Sequence, residues 1–282
     1  MPRRRWGQHF LRDAATARLL VTRAGVRPGE TVLEVGPGKG QLTRALLEVA
    51  GRVVAVEIDQ GLASDLPARV GAPDRLTVVR ADAAAADLDE ILSDHLRPAE
   101  PARAVGNLPY ESATAILARL LAARARLSGL AVVVQREVAD RITAAPGGRT
   151  YGYLSVVCQD VAAPRIVCRL GPGAFRPAPK VRSAMVRFEL RDRPRRGDLD
   201  EGVFRALVAA LFAQRRKTIL NGLRSVAGVE RSAALAAIER AGLEPSRRAE
   251  DLAIEALAGL ARALGQGGSA RIRRPARMEE RS

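Results

Sequence analysis

The stretch GNLPY, residues 106–110, holds the residue types best suited to chemistry. An alternating apolar run over 102–105 reads as the end of a buried strand, and it stops on Gly106, Asn107, Leu108, Pro109 and Tyr110. Proline cannot continue a ladder, so the Leu108 carbonyl before it is left exposed. The Asn107 side-chain oxygen adds a second acceptor at the same strand end. Two acceptors suit an exocyclic amine on adenine, whose lone pair is delocalised into the ring. To attack a methyl group that nitrogen must become tetrahedral, and acceptors aimed at its hydrogens promote the change. Tyr110 offers a ring face on which an extruded base can stack, worth about 1–3 kcal/mol per base. A turn with a buried tyrosine would account for Pro109 and Tyr110 but not for Asn107. The spacing therefore predicts a strand end that holds a flipped base beside a methyl donor.

A second constellation lies upstream. GluValGlyProGlyLysGly, over 34–40, follows an apolar run and opens a helical pattern; glycines there let the backbone approach a ligand closely. The loop is not GxxxxGK[ST], because Lys39 is followed by Gly40. It departs from GxGxxG in having Gly36, Gly38 and Gly40 in order. The next apolar run ends on Glu57, about 20 residues past the loop, where a carboxylate can bind ribose hydroxyls. A third run ends with Asp82 beside the same crevice, where it can accept from an adenine amino group. Three strand ends thus frame an adenosine pocket. A pyrophosphate would favour cations there, whereas a sulfonium cofactor suits the acidic rim.

The elements that must position these residues follow from periodicity. Asp13 can cap a helix ended by Gly25. Strands are predicted over 31–35, 52–58, 76–80, 102–106 and 129–135. Helices are predicted over 41–49, up to about Pro67, and over 87–96, 112–126 and 136–144. This alternation indicates βαβ units, hence a Rossmann-like α/β fold with a mostly parallel sheet. Segments 164–170 and 183–190 are β-like and are expected to form a closing antiparallel pair. After the charged stretch 191–198 the pattern is purely helical to about 264. The expected organisation is a Rossmann-like domain over 1–190, a small α-helical domain over 191–265 and a disordered basic tail over 266–282.

With 46 Lys and Arg against 31 Asp and Glu, the formal charge is +15, which favours a polyanionic partner such as nucleic acid. A coding bias can replace Lys by Arg but does not create an excess of cations. Arg215, Arg216 and Lys217 are candidate RNA contacts. A solvated helix face is the alternative, with Phe212, Ile219 and Leu223 packing that helix on the catalytic domain. No apolar run approaches the roughly 20 residues of a membrane span, and no apolar segment follows the basic N-terminus as in a secretory signal. Cys158 and Cys168 lack CxxC spacing and are expected to be reduced residues of a cytoplasmic protein. His9 and His95 are far apart with no cysteine to join them, so no metal site is expected.

AsnLeuProTyr after a GluValGlyProGly loop resembles the S-adenosylmethionine-dependent adenine-N6 methyltransferases of rRNA. GQHFL (7–11), QREVADRI (135–142), YGYLSVVCQ (151–159), FRPAPKVRSA (175–184) and FAQRRKTILNGL (212–223) narrow the likeness. They resemble the KsgA-type small-subunit rRNA dimethyladenosine transferases, over roughly residues 5–260. The resemblance implies S-adenosyl-L-methionine as cofactor and dimethylation at N6 of two adjacent adenosines in the 3′-terminal hairpin loop of 16S rRNA. It also implies a precursor 30S particle as partner, late in ribosome assembly, and a monomer acting in the cytoplasm. By motif match, His9 and Leu11 would lie over the cofactor, with Gly36, Gly38, Glu57, Asp82 and Asn107 completing its pocket. Leu108, Pro109 and Tyr110 would contact the target base, and Phe175 would stack on its other face. His9 stands where many members have Asn, and GluSerAla follows AsnLeuProTyr where many have AsnIleSer. The rival readings are an Erm-type enzyme acting on 23S rRNA, a non-catalytic ribosome-assembly factor, and an NAD-dependent oxidoreductase. The glycine spacing and AsnLeuProTyr disfavour the last.

Overall fold

The strands expected from the apolar runs assemble into one seven-stranded sheet in a computed structural model that describes residues 9–71, 73–96, 100–225 and 229–266. In chain order the first half comprises β1 (Phe10–Leu11), α1 (Ala14–Ala24), β2 (Thr31–Val35), α2 (Gln41–Leu47), β3 (Arg52–Glu57), α3 (Gln60–Val70), β4 (Leu76–Arg80), α4 (Leu88–His95), β5 (Ala102–Asn107) and α5 (Ala113–Ala122). β6 (Leu127–Gln135), α6 (Arg136–Ile142), α7 (Tyr153–Val161), β7 (Ala162–Leu170), β8 (Phe175–Arg176) and β9 (Ser183–Leu190) follow. The sheet order is β4-β3-β2-β5-β6-β9-β7, and β1 pairs with β8 in a separate two-stranded sheet. β2 pairs in parallel with both β3 and β5, so the order reverses between β2 and β5. In such sheets ligands bind outside the carboxyl ends of the strands at that reversal.

Local chemistry sets the element ends. Asp13 caps α1 by accepting from Thr16 N at 2.8 Å, and Gly25 ends it at φ 72°. β2, β3, β5 and β6 are almost wholly buried, as parallel strands covered on both faces must be. β6 pairs with β9 antiparallel, and β7 lies at the sheet edge beside β9. Three helical expectations are corrected. Pro67 does not end α3: the helix runs on to Val70 and stops at Gly71, φ 70°. The expected helix over 112–126 gives way to a 3-10 turn at Arg124–Arg126. α7 was not foreseen, because YLSVVCQDV is apolar enough to fit either period.

The described residues form two compact units. One holds the sheet, up to Ala139 and again over 163–190. The other holds 140–162 together with the chain from 191, including α8 (Glu201–Ala213), α9 (Ile219–Leu223), α10 (Arg231–Arg240) and α11 (Ile254–Gln266). The expected break near 190 is therefore only one of the crossings. Segment 140–162 leaves the sheet unit because Tyr151 and Val156, both 0% exposed, belong to the core built by Phe204, Leu211, Ile238 and Leu257. The Tyr151 hydroxyl donates to the Leu252 carbonyl at 3.1 Å. Asp160 is buried against Arg196, accepting its backbone N–H at 2.8 Å and pairing with its guanidinium. The expected tail over 266–282 lies, apart from Gln266, outside the described residues, as do the first two residues of GQHFL.

Candidate active site

The carboxyl ends of β2, β3, β4 and β5 bring the predicted residues to one edge of the sheet. Gly36 and Gly38, at φ 71° and 55°, turn the chain off β2 in a conformation that side-chain-bearing residues rarely adopt. Gly36 N donates to the Val56 carbonyl at 3.0 Å, which ties the loop to β3. The Glu57 carboxylate is 3% exposed. Its Oε2 accepts from Gly38 N and its Oε1 from Asp59 N, both at 3.0 Å. Each oxygen keeps a second lone pair for ribose hydroxyls. Asp82 is exposed at the end of β4 and accepts from Ala84 N through Oδ1 at 2.9 Å.

The N-terminal strand closes over this loop. Leu11 pairs with Phe175 and Phe10 with Arg176. A Cβ added to Gly38 would lie 2.7 Å from the Phe10 ring, so glycine is required where β1 crosses. Lys39 Nζ sits 5.0 Å from the centroid of the same ring. Phe10, Leu11, Gly36, Lys39, Leu42 and Asn107 line the resulting crevice. Its glycine floor, acidic rim and apolar cover fit an adenosine cofactor with a cationic tail.

At the end of β5, Asn107 Nδ2 donates to the His9 carbonyl at 2.8 Å, which anchors the amide and leaves Oδ1 as its acceptor. Leu108 is 2% exposed and its N–H donates to the Val133 carbonyl at 3.1 Å. Pro109 then takes the chain off the sheet, as expected. Tyr110 is half-buried, its hydroxyl 2.5 Å from Ser183 Oγ on β9. Burial raises the Tyr110 pKa, partly offset by Ser183. The ring lies 5.3 Å from that of His9, and His9 Nδ1 is 2.8 Å from the Pro177 carbonyl. His9 therefore meets the site through its carbonyl, its ring being engaged with Pro177 and Tyr110.

Phe175 requires a correction. It is 3% exposed and packs in the core with Leu11, Leu170 and Met185, so its ring is not presented for stacking. Its place beside Leu11 instead holds β1 down over the loop. The GlnArgArgLysThr segment is not helical either: Gln214–Lys217 form a turn between α8 and α9. Ile219 and Leu223 lie in the core of the second unit, with Phe212 packed against it, and not on the sheet unit as expected. Arg215 Nε donates to Glu250 Oε2 at 2.6 Å, and its Nη2 donates to the Arg149 carbonyl. Arg216 and Lys217 are exposed.

Periodicity and motifs missed Ser183, Phe10 as the cover of the glycine loop, and Glu34. Glu34 is 0% exposed in β2, and neither carboxylate oxygen has a hydrogen-bond partner. A charged residue inside the run ThrValLeuGluVal was the available signal. Cys158 is buried and free, its thiol pushed up to about 12 by burial, which makes it unreactive. Among the described residues no group of three His, Cys, Asp or Glu could hold a metal ion, and no helix is long and apolar enough to cross a membrane.

The model of the family described as "Ribosomal RNA adenine dimethylase" matches residues 2–264. A protein named ribosomal RNA small subunit methyltransferase A from Moorella thermoacetica is 41% identical over 268 residues, covering 94% of this chain and 93% of its own. Its namesake from Rhodococcus opacus is 44% identical over 267 residues, covering 92% and 88%. A dimethyladenosine transferase from Plasmodium falciparum superposes with a TM-score of 0.76 at 22% identity, over 93% of this chain and 99% of that one. It bears on the fold alone. The 23S rRNA methyltransferase ErmE superposes at 0.66 with 29% identity, over 91% and 100%.

Proposed function

The chain belongs to the ribosomal RNA adenine dimethylase family, and on that premise we propose that it dimethylates N6 of two adjacent adenosines in the 3′-terminal hairpin loop of small-subunit rRNA. The cofactor is S-adenosyl-L-methionine, which supplies an electrophilic methyl group when bound. We further propose that the chain acts as a monomer in the cytoplasm, on a precursor 30S particle. The observation that carries the reading is the end of β5, where Asn107, tethered to the His9 carbonyl, borders the cofactor crevice.

The residues act by binding and orientation. Glu57 holds ribose, Asp82 meets the adenine amino group, and Leu11 covers the cofactor. Asn107 Oδ1 and the Leu108 carbonyl accept from the two amine hydrogens of the target adenine. They become better acceptors of those hydrogens as the nitrogen turns tetrahedral and gains positive charge. No strong base is required, because the proton leaves after the nitrogen has become cationic. Tyr110 supplies the stacking face. An Erm-type reading has ErmE in its favour, but at lower identity than the small-subunit relatives. Incubation with labelled S-adenosylmethionine and either unmethylated small subunits or large-subunit rRNA, followed by mapping of the modified base, tests the choice. Label confined to large-subunit rRNA would overturn the proposal.

Two expectations concern individual side chains of the site and of the basic turn. Tyr110→Phe keeps the ring and loses only the bond to Ser183, so it should retain most single-turnover activity. Tyr110→Ala removes the platform and should lose most of it. If both are equally damaging while cofactor binding is normal, the hydroxyl carries the function instead. Affinity for rRNA should fall steeply with salt, because neutralised phosphates release counterions. Arg216→Glu with Lys217→Glu should lower that slope by about 0.7–0.9 for each phosphate that the two cations neutralise. Arg215→Ala should chiefly lower thermal stability, since Arg215 ties the 148–149 turn to Glu250. An unaltered slope in the double variant would remove Arg216 and Lys217 from the RNA interface.

A further inference from the structure

The glycine loop rests on an acid that ribose and base recognition do not use. Glu34 lies two residues before Gly36, beneath the loop that lines the crevice. Its register neighbours, Ala55 on β3 and Val105 on β5, are apolar. Thr43 on α2 stands beside it, its hydroxyl also without a formed hydrogen bond. The charged groups of the surrounding elements give no counterion. Glu57 on β3 has the same sign, Lys39 is turned to the Phe10 ring, and Arg44 donates to the Arg69 carbonyl. Burial pushes the Glu34 carboxyl up to about 8, held back by Thr43 and raised further by Glu57.

An isolated carboxylate is costly in such surroundings, so the side chain stays neutral until a cation arrives. The cofactor assigned above carries two cationic groups, its ammonium and its sulfonium. We propose that Glu34 is a positioning residue whose carboxyl ionises when S-adenosylmethionine binds, so that cofactor binding expels a proton and sets a carboxylate beneath the loop facing the cofactor's positive charge. The balance is simple: neutral Glu34 and cationic cofactor become carboxylate and bound cofactor, and one proton passes to solvent. The inference rests on the cofactor assignment.

Linkage fixes the sign. Below the pH at which Glu34 titrates in the empty protein, binding must release its proton, so affinity rises with pH by up to about tenfold per unit. Above that pH the group is already ionised and this dependence vanishes.

Calorimetry of S-adenosylmethionine binding to the full chain, in buffers of different ionisation enthalpy, counts the protons. At about pH 7 the wild type should release about one proton more than Glu34→Gln, and at about pH 9 the two should agree. The cofactor's own titration is common to both proteins and cancels in the difference. Infrared difference spectra of the wild type alone give an independent readout: the carbonyl stretch of a buried protonated carboxyl should disappear on cofactor addition. Equal proton release by the two proteins, or a carboxyl band that survives binding, overturns the proposal. If the wild type gives no binding signal with S-adenosylmethionine, the cofactor assignment itself fails and takes the proposal with it.

Discussion

Asn107→Ala is expected to lower the single-turnover rate of methyl transfer by about 10²–10³, the usual loss on removing one preorganised group that stabilises developing charge. Affinity for rRNA should hardly change, because the acceptor gains most of its strength as the amine becomes tetrahedral and cationic. The geometry sharpens the expectation. Asn107 Nδ2 donates to the His9 carbonyl, so the alanine variant removes the acceptor and also releases the chain just before β1. Asn107→Asp separates these effects. It keeps an acceptor for the amine but sets a carboxylate oxygen against the His9 carbonyl, and it should fall between alanine and wild type. Single-turnover assays on unmethylated small subunits, run beside cofactor calorimetry, would read the difference. A loss of rRNA affinity as large as the loss of rate would sink the account of the β5 strand end.

The second large effect is expected at Glu57. Glu57→Ala should weaken S-adenosylmethionine binding by about 1.5–3 kcal/mol through loss of a charged acceptor for ribose, roughly 10–150-fold in Kd. Both oxygens already serve the backbone, accepting from Gly38 N and Asp59 N. The alanine variant therefore also leaves two partly buried N–H groups unpaired, and the glycine loop loses its tie to the end of β3. Glu57→Gln should not be conservative, since its amide NH₂ would face one of those N–H donors. Calorimetric affinity that is unchanged in a folded Glu57→Ala protein would remove the ribose assignment.

Much of this arrangement was legible in the chain. The apolar runs at 31–35, 52–58, 76–80, 102–106 and 129–135 each became a strand of the sheet, because a parallel strand covered on both faces must be apolar throughout. Asp13 and Gly25 marked the ends of α1 through their own hydrogen-bonding and conformational preferences. What escaped was set by tertiary contacts. The two-residue strands β1 and β8 have no periodicity to detect, so the cover that Phe10 makes over Gly38 was hidden. Phe175 sits in an exposed-looking Pro- and Arg-rich stretch yet is buried by its pairing with Leu11. Pro67 broke its expected role because α3 continues past it for a further three residues, held by Leu66 in the core and the Gly71 cap. Gln214–Lys217 looked helical from composition, whereas Arg215 is drawn into a turn by Glu250 and the 148–149 carbonyls.

The split membership of the second unit bears on how the chain matures. Segment 140–162 leaves the ribosome well before the helices that bury Tyr151 and Val156. At about 5–20 residues per second, those side chains wait on the order of ten seconds for Ile238 and Leu257. Until then the nascent chain carries an apolar hairpin arm with nothing to cover it, a natural site for a holding chaperone. The same split makes a stop at residue 190 a poor way to isolate the sheet unit. Such a truncation keeps Tyr151 and α7 while discarding everything that shelters them, and the product should aggregate even though its seven strands are complete.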